Sequence, residues 1–109
     1  MPQRRRAETP APVFAALGDE HRLRLLARLS EGEPMSISRL TAGSGITRQG
    51  VSKHLRVLAG AGLVRSSRRG KESLWQLERR RLEEARRSLD LISHQWDRAL
   101  SKLKLFVED

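Results

Sequence analysis

Apolar residues recur at helical spacing in two parts of this chain. Val51, Leu55 and Leu58 follow one another at intervals of four and three, which predicts a helix after Thr47 with one buried face. A longer stripe runs from residue 78 to about residue 107. Its members are Leu82, Ala85, Leu89, Ile92, Trp96, Ala99, Leu103 and Phe106, and Leu100 widens it. This heptad-like spacing predicts one long helix that packs along another helix.

The long helix exceeds what the core of a small protein can cover. At ~1.5 Å per residue it reaches about 40 Å. We therefore expect its first half to pack inside the protomer. Its second half, from Trp96 to Phe106, is expected to contact a second chain.

Three shorter helices are predicted before the first stripe, over residues 12–17, 19–30 and 36–42. Asp19, Ser36 and Thr47 stand where N-caps are needed for the second, third and fourth helices, and Asp, Ser and Thr are preferred there. The buried face of the second helix is predicted to consist of leucines. They are Leu25, Leu26 and Leu29, with Leu23 as an addition.

Residues 36–58 together have the pattern of a helix-turn-helix. Gly43 and Gly45 bracket the turn between its two helices. The second helix is apolar on one face and rich in hydrogen-bond donors on the other. The donors are Arg48, Gln49, Ser52, Lys53, His54 and Arg56. A helix of this kind, held by a neighbour across a tight turn, fits the major groove of DNA.

A β-hairpin is predicted after this motif. Gly60 and Gly62 are expected to stop the helix, and residues 63–68 and 71–77 alternate weakly, with Arg69 and Gly70 at the tip. The hairpin and its tip carry the cations Arg65, Arg68, Arg69 and Lys71. Four cations beside a recognition helix favour a wing that contacts the DNA backbone. The alternative is a solvated hairpin, on which charge is ordinary.

The charge is concentrated in the same region. The chain has 109 residues, which indicates one domain, and a net charge of +9. Residues 36–81 hold eleven Lys or Arg and only two acidic residues, so they account for the whole excess, while the flanking segments balance. A localised basic field is what binding to a polyanion requires.

The remaining composition limits the other possibilities. Residues 1–11, with Arg4, Arg5 and Arg6, are predicted to be a disordered arm that either touches phosphates or is a solvated tail. Residues 12–109 form the domain. The start has no apolar signal region and no apolar run spans a membrane. We expect a cytoplasmic, nucleoid-associated protein.

Three segments resemble the ArsR-type winged helix-turn-helix repressors: VFAALGDEHRLRLLARL, ITRQGVSKHLRVLAGAGLV and RRGKESLWQL. The ending HQWDRALSKLKLF resembles the cysteine-free branch of that family. The resemblance covers about residues 12–107. It implies a mainly α fold with a β-hairpin wing, in the order α-α-α-α-β-β-α. It also implies a homodimer that binds a palindromic operator in double-stranded DNA and represses transcription, often of its own operon.

The resemblance assigns roles to individual residues. The DNA-facing positions are Thr47, Arg48, Gln49, Ser52, Lys53 and His54. From its place one turn further along the helix, Arg56 is expected at a phosphate or in a surface ion pair, and the charge of the wing adds Arg68, Arg69 and Lys71 as DNA contacts. Arg48 has the geometry to bind guanine and Gln49 adenine. The first and last helices form the family's dimer. The corresponding residues here are Val13, Phe14, Leu17, Leu89, Ile92, Trp96, Leu100, Leu103 and Phe106. Trp75 replaces the usual wing Tyr.

Metal sensing is common among such proteins, but this sequence does not favour it. No Cys is present, so thiolate sites are excluded. Asp90, His94 and Asp97 lie on one side of the last helix, yet the family's Asp-x-His spacing is absent because Ile92 stands two residues after Asp90. One His per chain is a thin ligand set. We expect no metal and no cofactor, and the sequence does not reveal an effector.

Three other function classes fit the sequence less well. The sequence lacks a phosphate-binding Gly-rich loop and a nucleophile elbow, so an enzyme is not expected. The alternative to a specific repressor is a winged-helix protein-interaction or architectural module with nonspecific DNA contact. The sequence supports RNA binding least, because the chain has only four aromatic residues and they form no stacking platform.

Overall fold

A computed structural model of the chain describes residues 9–108. The helices are α1 (Ala11–Leu17), α2 (Glu20–Leu29), α3 (Ile37–Thr41), α4 (Arg48–Gly60) and α5 (Arg79–Glu108), and the strands are β1 (Met35–Ser36), β2 (Val64–Arg69) and β3 (Glu72–Leu77). This confirms the winged helix-turn-helix order, with one extra strand. The arginines at positions 4–6 lie outside the described residues.

The three predicted N-caps are confirmed. Asp19 Oδ2 accepts a hydrogen bond from the backbone N–H of Arg22 at 3.1 Å. Ser36 Oγ accepts one from Arg39 at 3.2 Å. Thr47 Oγ1 accepts one from the N–H of Gly50 at 3.0 Å, and so fixes the first turn of α4. Each cap satisfies a donor that the start of a helix leaves without an intrahelical partner.

The core lies where helices α1 to α4, the start of α5 and the sheet meet. Its fully buried large side chains are Leu29, Leu40, Leu55, Leu58, Leu63, Val13 and Val51. The predicted stripe of α4 is therefore confirmed. In α2, Leu25 and Leu26 are buried as expected, but the inclusion of Leu23 is wrong, because this side chain is 51% exposed. Leu23 lies two positions from Leu25, about 200° around the helix at 3.6 residues per turn.

The wing is a three-stranded antiparallel sheet in the order β1-β3-β2. The sequence predicted only a hairpin. In β1, Met35 lies opposite Trp75 and Ser36 opposite Leu74. This short strand ties the hairpin to the segment that leads into α3, which a two-stranded ribbon needs for stability. The tip is one residue later than predicted, and Gly70 there has a φ of +64°.

The end of α4 also differs slightly from the prediction. Gly60 is still helical, and Gly62 alone takes the left-handed conformation, with a φ of +79°. The N–H of Leu63 then donates to the carbonyl of Leu58 at 3.0 Å, which closes the helix end. Arg81, on α5, donates from Nε to the carbonyl of Ala61 at 3.3 Å. The first turns of α5 are thus fastened to the end of α4.

The long helix α5 leaves the core after Ala85. Ala85 is buried and Leu82 packs partly against the core, whereas the apolar residues from Leu89 onward are exposed. The described part of the protomer is consequently elongated, with extents of 67 × 39 × 21 Å. No helix within residues 9–108 is long and apolar enough to cross a membrane.

One residue expected at a dimer interface lies elsewhere. Val13 is 1% exposed and belongs to the protomer's own core. Phe14 and Leu17 are partly buried against that core. The outward positions of α1 are instead Ala11, Pro12 and Ala15. The sequence pattern alone could not orient α1, because seven residues make fewer than two full turns.

Candidate nucleic-acid interface

The two faces of α4 differ completely in burial. Val51, Leu55 and Leu58 are each 0% exposed on the inner face. The outer face presents the predicted DNA-binding residues, of which Thr47, Arg48, Gln49, Lys53 and Arg56 are exposed and Ser52 is half-buried. The sequence thus folds into a helix whose inner face is packed into the core while most of its donor side chains lie at the surface.

In the first turn of α4, Gly50 packs closely against Thr47 and Ile46. A Cβ atom added to Gly50 would lie 3.3 Å from Thr47 Oγ1 and 3.8 Å from the side chain of Ile46. The small residue at position 50 therefore preserves the cap and the packing of Ile46. Because the cap sets the direction of the first helical turn, it also sets where Arg48 and Gln49 project.

Arg48 takes part in a contact that the sequence did not suggest. Its Nη1 donates to Ser38 Oγ on α3 at 3.2 Å. The two residues lie in a cleft of about 200 Å³ that also contains Lys71 of the wing tip. The remaining lining residues are Ser36, Ile37, Glu72 and Ser73. The cleft therefore brings a recognition-helix cation and a wing cation together beside several hydroxyl groups, and its one carboxylate is that of Glu72.

The wing cations are placed on the outside of the hairpin. Arg68, Arg69 and Lys71 are exposed. Arg65 instead lies 3.6 Å from Glu78 through its Nε atom, in a largely exposed ion pair. Surface pairs of this kind contribute little to stability. Arg68 and Arg69 make no ion pair among the described residues.

His54 is turned toward α2 rather than outward. Its Nδ1 lies 3.3 Å from Arg22 Nη1 and 3.8 Å from Asp19 Oδ2. Its ring centroid lies 5.7 Å from that of His21. These contacts engage His54 within the protomer, at the junction between α2 and α4. They distinguish it from Gln49 and Lys53, whose side chains are exposed.

The same junction between α2 and α4 lowers the pKa of Asp19. The backbone N–H of Arg22 donates to its carboxylate and lowers its pKa below 3.8, while desolvation opposes this shift and the nearby His54 and Arg22 side chains add to it. The carboxylate therefore stays charged as the cap of α2 at all ordinary pH values.

The candidate metal ligands of α5 do not assemble into a site within the protomer. His94 Nδ1 donates to the backbone carbonyl of Asp90 at 2.9 Å, in the manner of a helix i, i−4 contact. Among residues 9–108, no three or more His, Asp or Glu side chains cluster closely enough to hold a metal ion.

Comparisons with known proteins agree with this geometry. The model of a helix-turn-helix domain family matches residues 17–67. The HTH-type transcriptional regulator Rv2034 of Mycobacterium tuberculosis is 33% identical over 93 residues, which are 85% of this chain and 83% of that protein. The HTH-type regulator YuzN of Bacillus subtilis is 45% identical over 65 residues, covering 54% of this chain and 71% of the relative.

Solved structures give the same result. An ArsR-like transcriptional regulator from Rhodococcus superposes with a TM-score of 0.76 at 36% identity, covering 89% of this chain and 91% of the other. A homodimeric winged helix-turn-helix DNA-binding domain from Mycobacterium bovis, described as a possible ArsR-family regulator, has a TM-score of 0.60 at 25% identity over 84% and 82% of the two chains. The relatives show the family, and the donor-rich α4 and the basic wing agree with it. The chain therefore belongs to the ArsR family of winged helix-turn-helix transcriptional regulators and is a DNA-binding regulator.

Proposed function

We propose that this protein is a homodimeric repressor that reads a palindromic operator with α4 and holds the flanking DNA backbone with its wing. The observation that carries the proposal is the division of α4 into a fully buried apolar face and an exposed donor face. A recognition helix needs both, because the buried face fixes the position of side chains that must match base edges.

Dimerisation is supported by the exposed part of α5. Leu89, Ile92 and Trp96 are 53%, 45% and 62% exposed, and Leu100, Leu103 and Phe106 follow with at least half of their surface exposed. A continuous apolar stripe of this length is rarely left to solvent. The related domain from Mycobacterium bovis is homodimeric. Two copies paired along α5 would present two α4 helices related by a two-fold axis.

Base reading is assigned to the exposed donors near the start of α4. Arg48 and Gln49 stand in its first turn, where the recognition helix of a helix-turn-helix enters the major groove. Ser52 and Lys53 follow one turn later and can reach base or phosphate. His54 is less suited to the task, because its ring is held by Arg22 and Asp19. Arg56 is assigned to phosphate.

Backbone contact is assigned to the wing and to the cleft beside it. Arg68 and Arg69 are exposed and make no ion pair among the described residues. Lys71 shares the cleft with Ser38, so a phosphate seated there would meet a cation and a hydroxyl group. Phosphate contacts fix the register of the protein on the duplex. A dimer so placed over a promoter would exclude RNA polymerase, which is the basis for repression.

The test is fluorescence anisotropy with DNA from upstream of the protein's own coding sequence and with random duplex of equal length. We expect a strong preference for the upstream DNA. Gln49→Ala should reduce that preference by about tenfold, since one bidentate base contact is worth ~1–3 kcal/mol of discrimination. Equal binding to both duplexes by the unaltered protein would contradict the operator and favour a nonspecific architectural role.

The wing is tested by the salt dependence of binding. In the double variant Arg68→Ala/Arg69→Ala, affinity should fall for all duplexes, and the slope of log K against log salt should decrease by about 2, since each lost phosphate contact removes ~0.9. Arg98→Ala is the matched control, an exposed arginine on the opposite side of α5 from the apolar stripe. A control that weakens binding as much as the double variant would exclude a specific role for the wing.

A further inference from the structure

A cavity of about 300 Å³ lies between α2, α3 and the turn that leads to α4. Its apolar lining comes from Leu25, Leu40 and Ile46, of which the two leucines belong to the core. A cavity of this volume is at the lower end of the range for small-molecule sites. It is separate from the cleft at Arg48, with which it shares no lining residue.

The polar lining is basic. Arg24, Arg28 and His21 border the cavity, and none of its lining residues is acidic. Arg24 pairs with Glu20 at 2.7 Å, but both side chains are largely exposed. An exposed pair contributes little free energy, so the Arg24 guanidinium can turn to a second carboxylate at small cost. The combination of an apolar floor with two guanidinium groups selects a ligand that has an apolar body and one anionic end.

We propose that this cavity binds a small organic monocarboxylate and that its occupancy weakens operator binding. The carboxylate would lie between the guanidinium groups of Arg24 and Arg28, because arginine forms strong charge-assisted hydrogen bonds with carboxylates. The apolar body would rest on Leu25, Leu40 and Ile46. The binding step stands independently, whereas the regulatory step rests on the proposed operator function.

The coupling runs through Arg28. Its Nη1 donates to the carbonyl of Leu40 at 3.0 Å and to that of Ala42 at 3.3 Å, at the end of α3. A ligand carboxylate is a stronger acceptor than a neutral carbonyl and competes for the same guanidinium. Binding would therefore pull the Arg28 guanidinium toward the cavity and weaken its hydrogen bonds to these two carbonyls.

The turn itself forms part of the cavity wall. Ser44 accepts a hydrogen bond from the N–H of Ile46 at 3.2 Å, and both residues line the cavity. Ile46 directly precedes the cap of α4 at Thr47. On the other side, His21 lines the cavity and lies beside His54 of α4. A ligand in the cavity thus contacts the elements that set the relative placement of α3 and α4.

The binding step is tested on the full chain without DNA, by ¹H–¹⁵N NMR titration with benzoate. We expect saturable shifts at the amides of residues 21–28 and 40–46. Benzyl alcohol and benzylamine, which keep the ring and lack the carboxylate, should bind at least tenfold more weakly. Arg24→Gln should weaken benzoate binding about tenfold, since it removes a hydrogen bond between charged groups, and the control Arg98→Gln should not.

Three results would overturn the site. They are the absence of saturable shifts, equal binding of benzoate and benzyl alcohol, and shifts that are confined to the wing around Arg68 and Arg69 and disappear with added salt. The last result would show nonspecific anion binding to the basic wing. The fold of Arg24→Gln is checked by its amide spectrum, and Arg24→Lys, which keeps the charge without the fork, should give an intermediate affinity.

The regulatory step is tested by anisotropy with the operator duplex at saturating benzoate. We expect about tenfold weaker DNA binding for the unaltered protein and a smaller effect for Arg24→Gln at the same concentration. If DNA affinity were unchanged while benzoate is bound, the regulatory step would be refuted, but the binding site would stand. Failure to bind any duplex before benzoate is added would instead refute the operator function, and the NMR titration would still decide the site.

Discussion

α4 and the distal half of α5 carry the same kind of apolar stripe but differ in what covers it. In α4, Val51, Leu55 and Leu58 are 0% exposed, because α2, α3 and the sheet surround them. In α5, Leu100 and Leu103 are 53% and 60% exposed. Helical periodicity therefore predicts that a face will be buried, but it does not state whether the covering surface belongs to the same chain.

The two stripes have different roles: one positions α4 within the protomer, and the other is available for association with a second chain. The α4 stripe is satisfied within the protomer, so the helix is rigid before DNA arrives. In the proposed dimer the α5 stripe is covered by a second chain, so the number and spacing of the α4 helices on DNA depend on that chain. Loss of a side chain from the first stripe should reduce folding at every protein concentration, whereas loss from the second should act through assembly.

Leu55→Ala is expected to have the largest effect. The side chain is fully buried, and a Leu→Ala change in a core costs about 2–5 kcal/mol of unfolding free energy. Denaturant unfolding should show this loss equally at low and high protein concentration. Leu100→Ala, the same substitution on the exposed stripe, should show a loss that grows with protein concentration. Equal, concentration-independent losses would remove the distinction between the two stripes.

Trp96→Glu should break the association without unfolding the protomer. A buried Trp at an interface centre typically contributes ~2 kcal/mol or more, so the dimer dissociation constant should rise by at least about thirtyfold. Sedimentation velocity measures the shift to monomer. Leu91→Glu is the matched control, because Leu91 is also 62% exposed but lies away from the stripe. A control that dissociates the protein equally would contradict the assignment of the interface.

Asp19→Asn should lower the stability of the folded protein near neutral pH and have less effect in acid. Because folding lowers the pKa of Asp19 below 3.8, its charge stabilises the folded state above that pH, and this contribution is lost as the pH falls through the lower folded value. The variant should be less stable than the unaltered protein above pH 3.8, and the difference should shrink below it. Melting temperatures across this range provide the measurement, with Asp90→Asn on α5 as control.

Trp75→Phe should have the smallest effect. Trp75 packs partly against the core, and its Nε1 is buried without a hydrogen-bond partner among the described residues. Phe keeps an aromatic ring and removes the unpaired donor, so the two consequences oppose each other. We expect a change in unfolding free energy below ~1 kcal/mol, measured by denaturant unfolding, and dimerisation should be unaltered. A loss as large as that of Leu55→Ala would contradict this balance.

Local signals in the sequence predicted most of the fold. The caps Asp19, Ser36 and Thr47 were identifiable because the side chain of one residue decides the start of a helix. The strand Met35–Ser36 was missed, since two residues show no periodicity and their pairing with β3 is long-range. Val13 was assigned to the wrong surface for a related reason, as only tertiary packing orients a short helix.

The candidate site was predicted less completely than the fold. The exposed donors of α4 follow from its periodicity. The contact of Arg48 with Ser38, the attachment of His54 to α2 and the cavity beside Arg28 join residues that are 10 or more positions apart. No pattern in a single sequence encodes such pairs, because they depend on how the helices are placed in three dimensions.

The most direct measurement of the proposed symmetric reader is a binding-site selection from randomised duplex DNA, with the unaltered protein and with Trp96→Glu. We predict that the unaltered protein selects two inverted half-sites whose centres lie about 10 base pairs, or a multiple of that, apart. Trp96→Glu should retain one half-site and lose the fixed spacing. The symmetric reader would be contradicted by a single unrepeated motif for the unaltered protein, or by an unchanged inverted repeat for a monomeric variant.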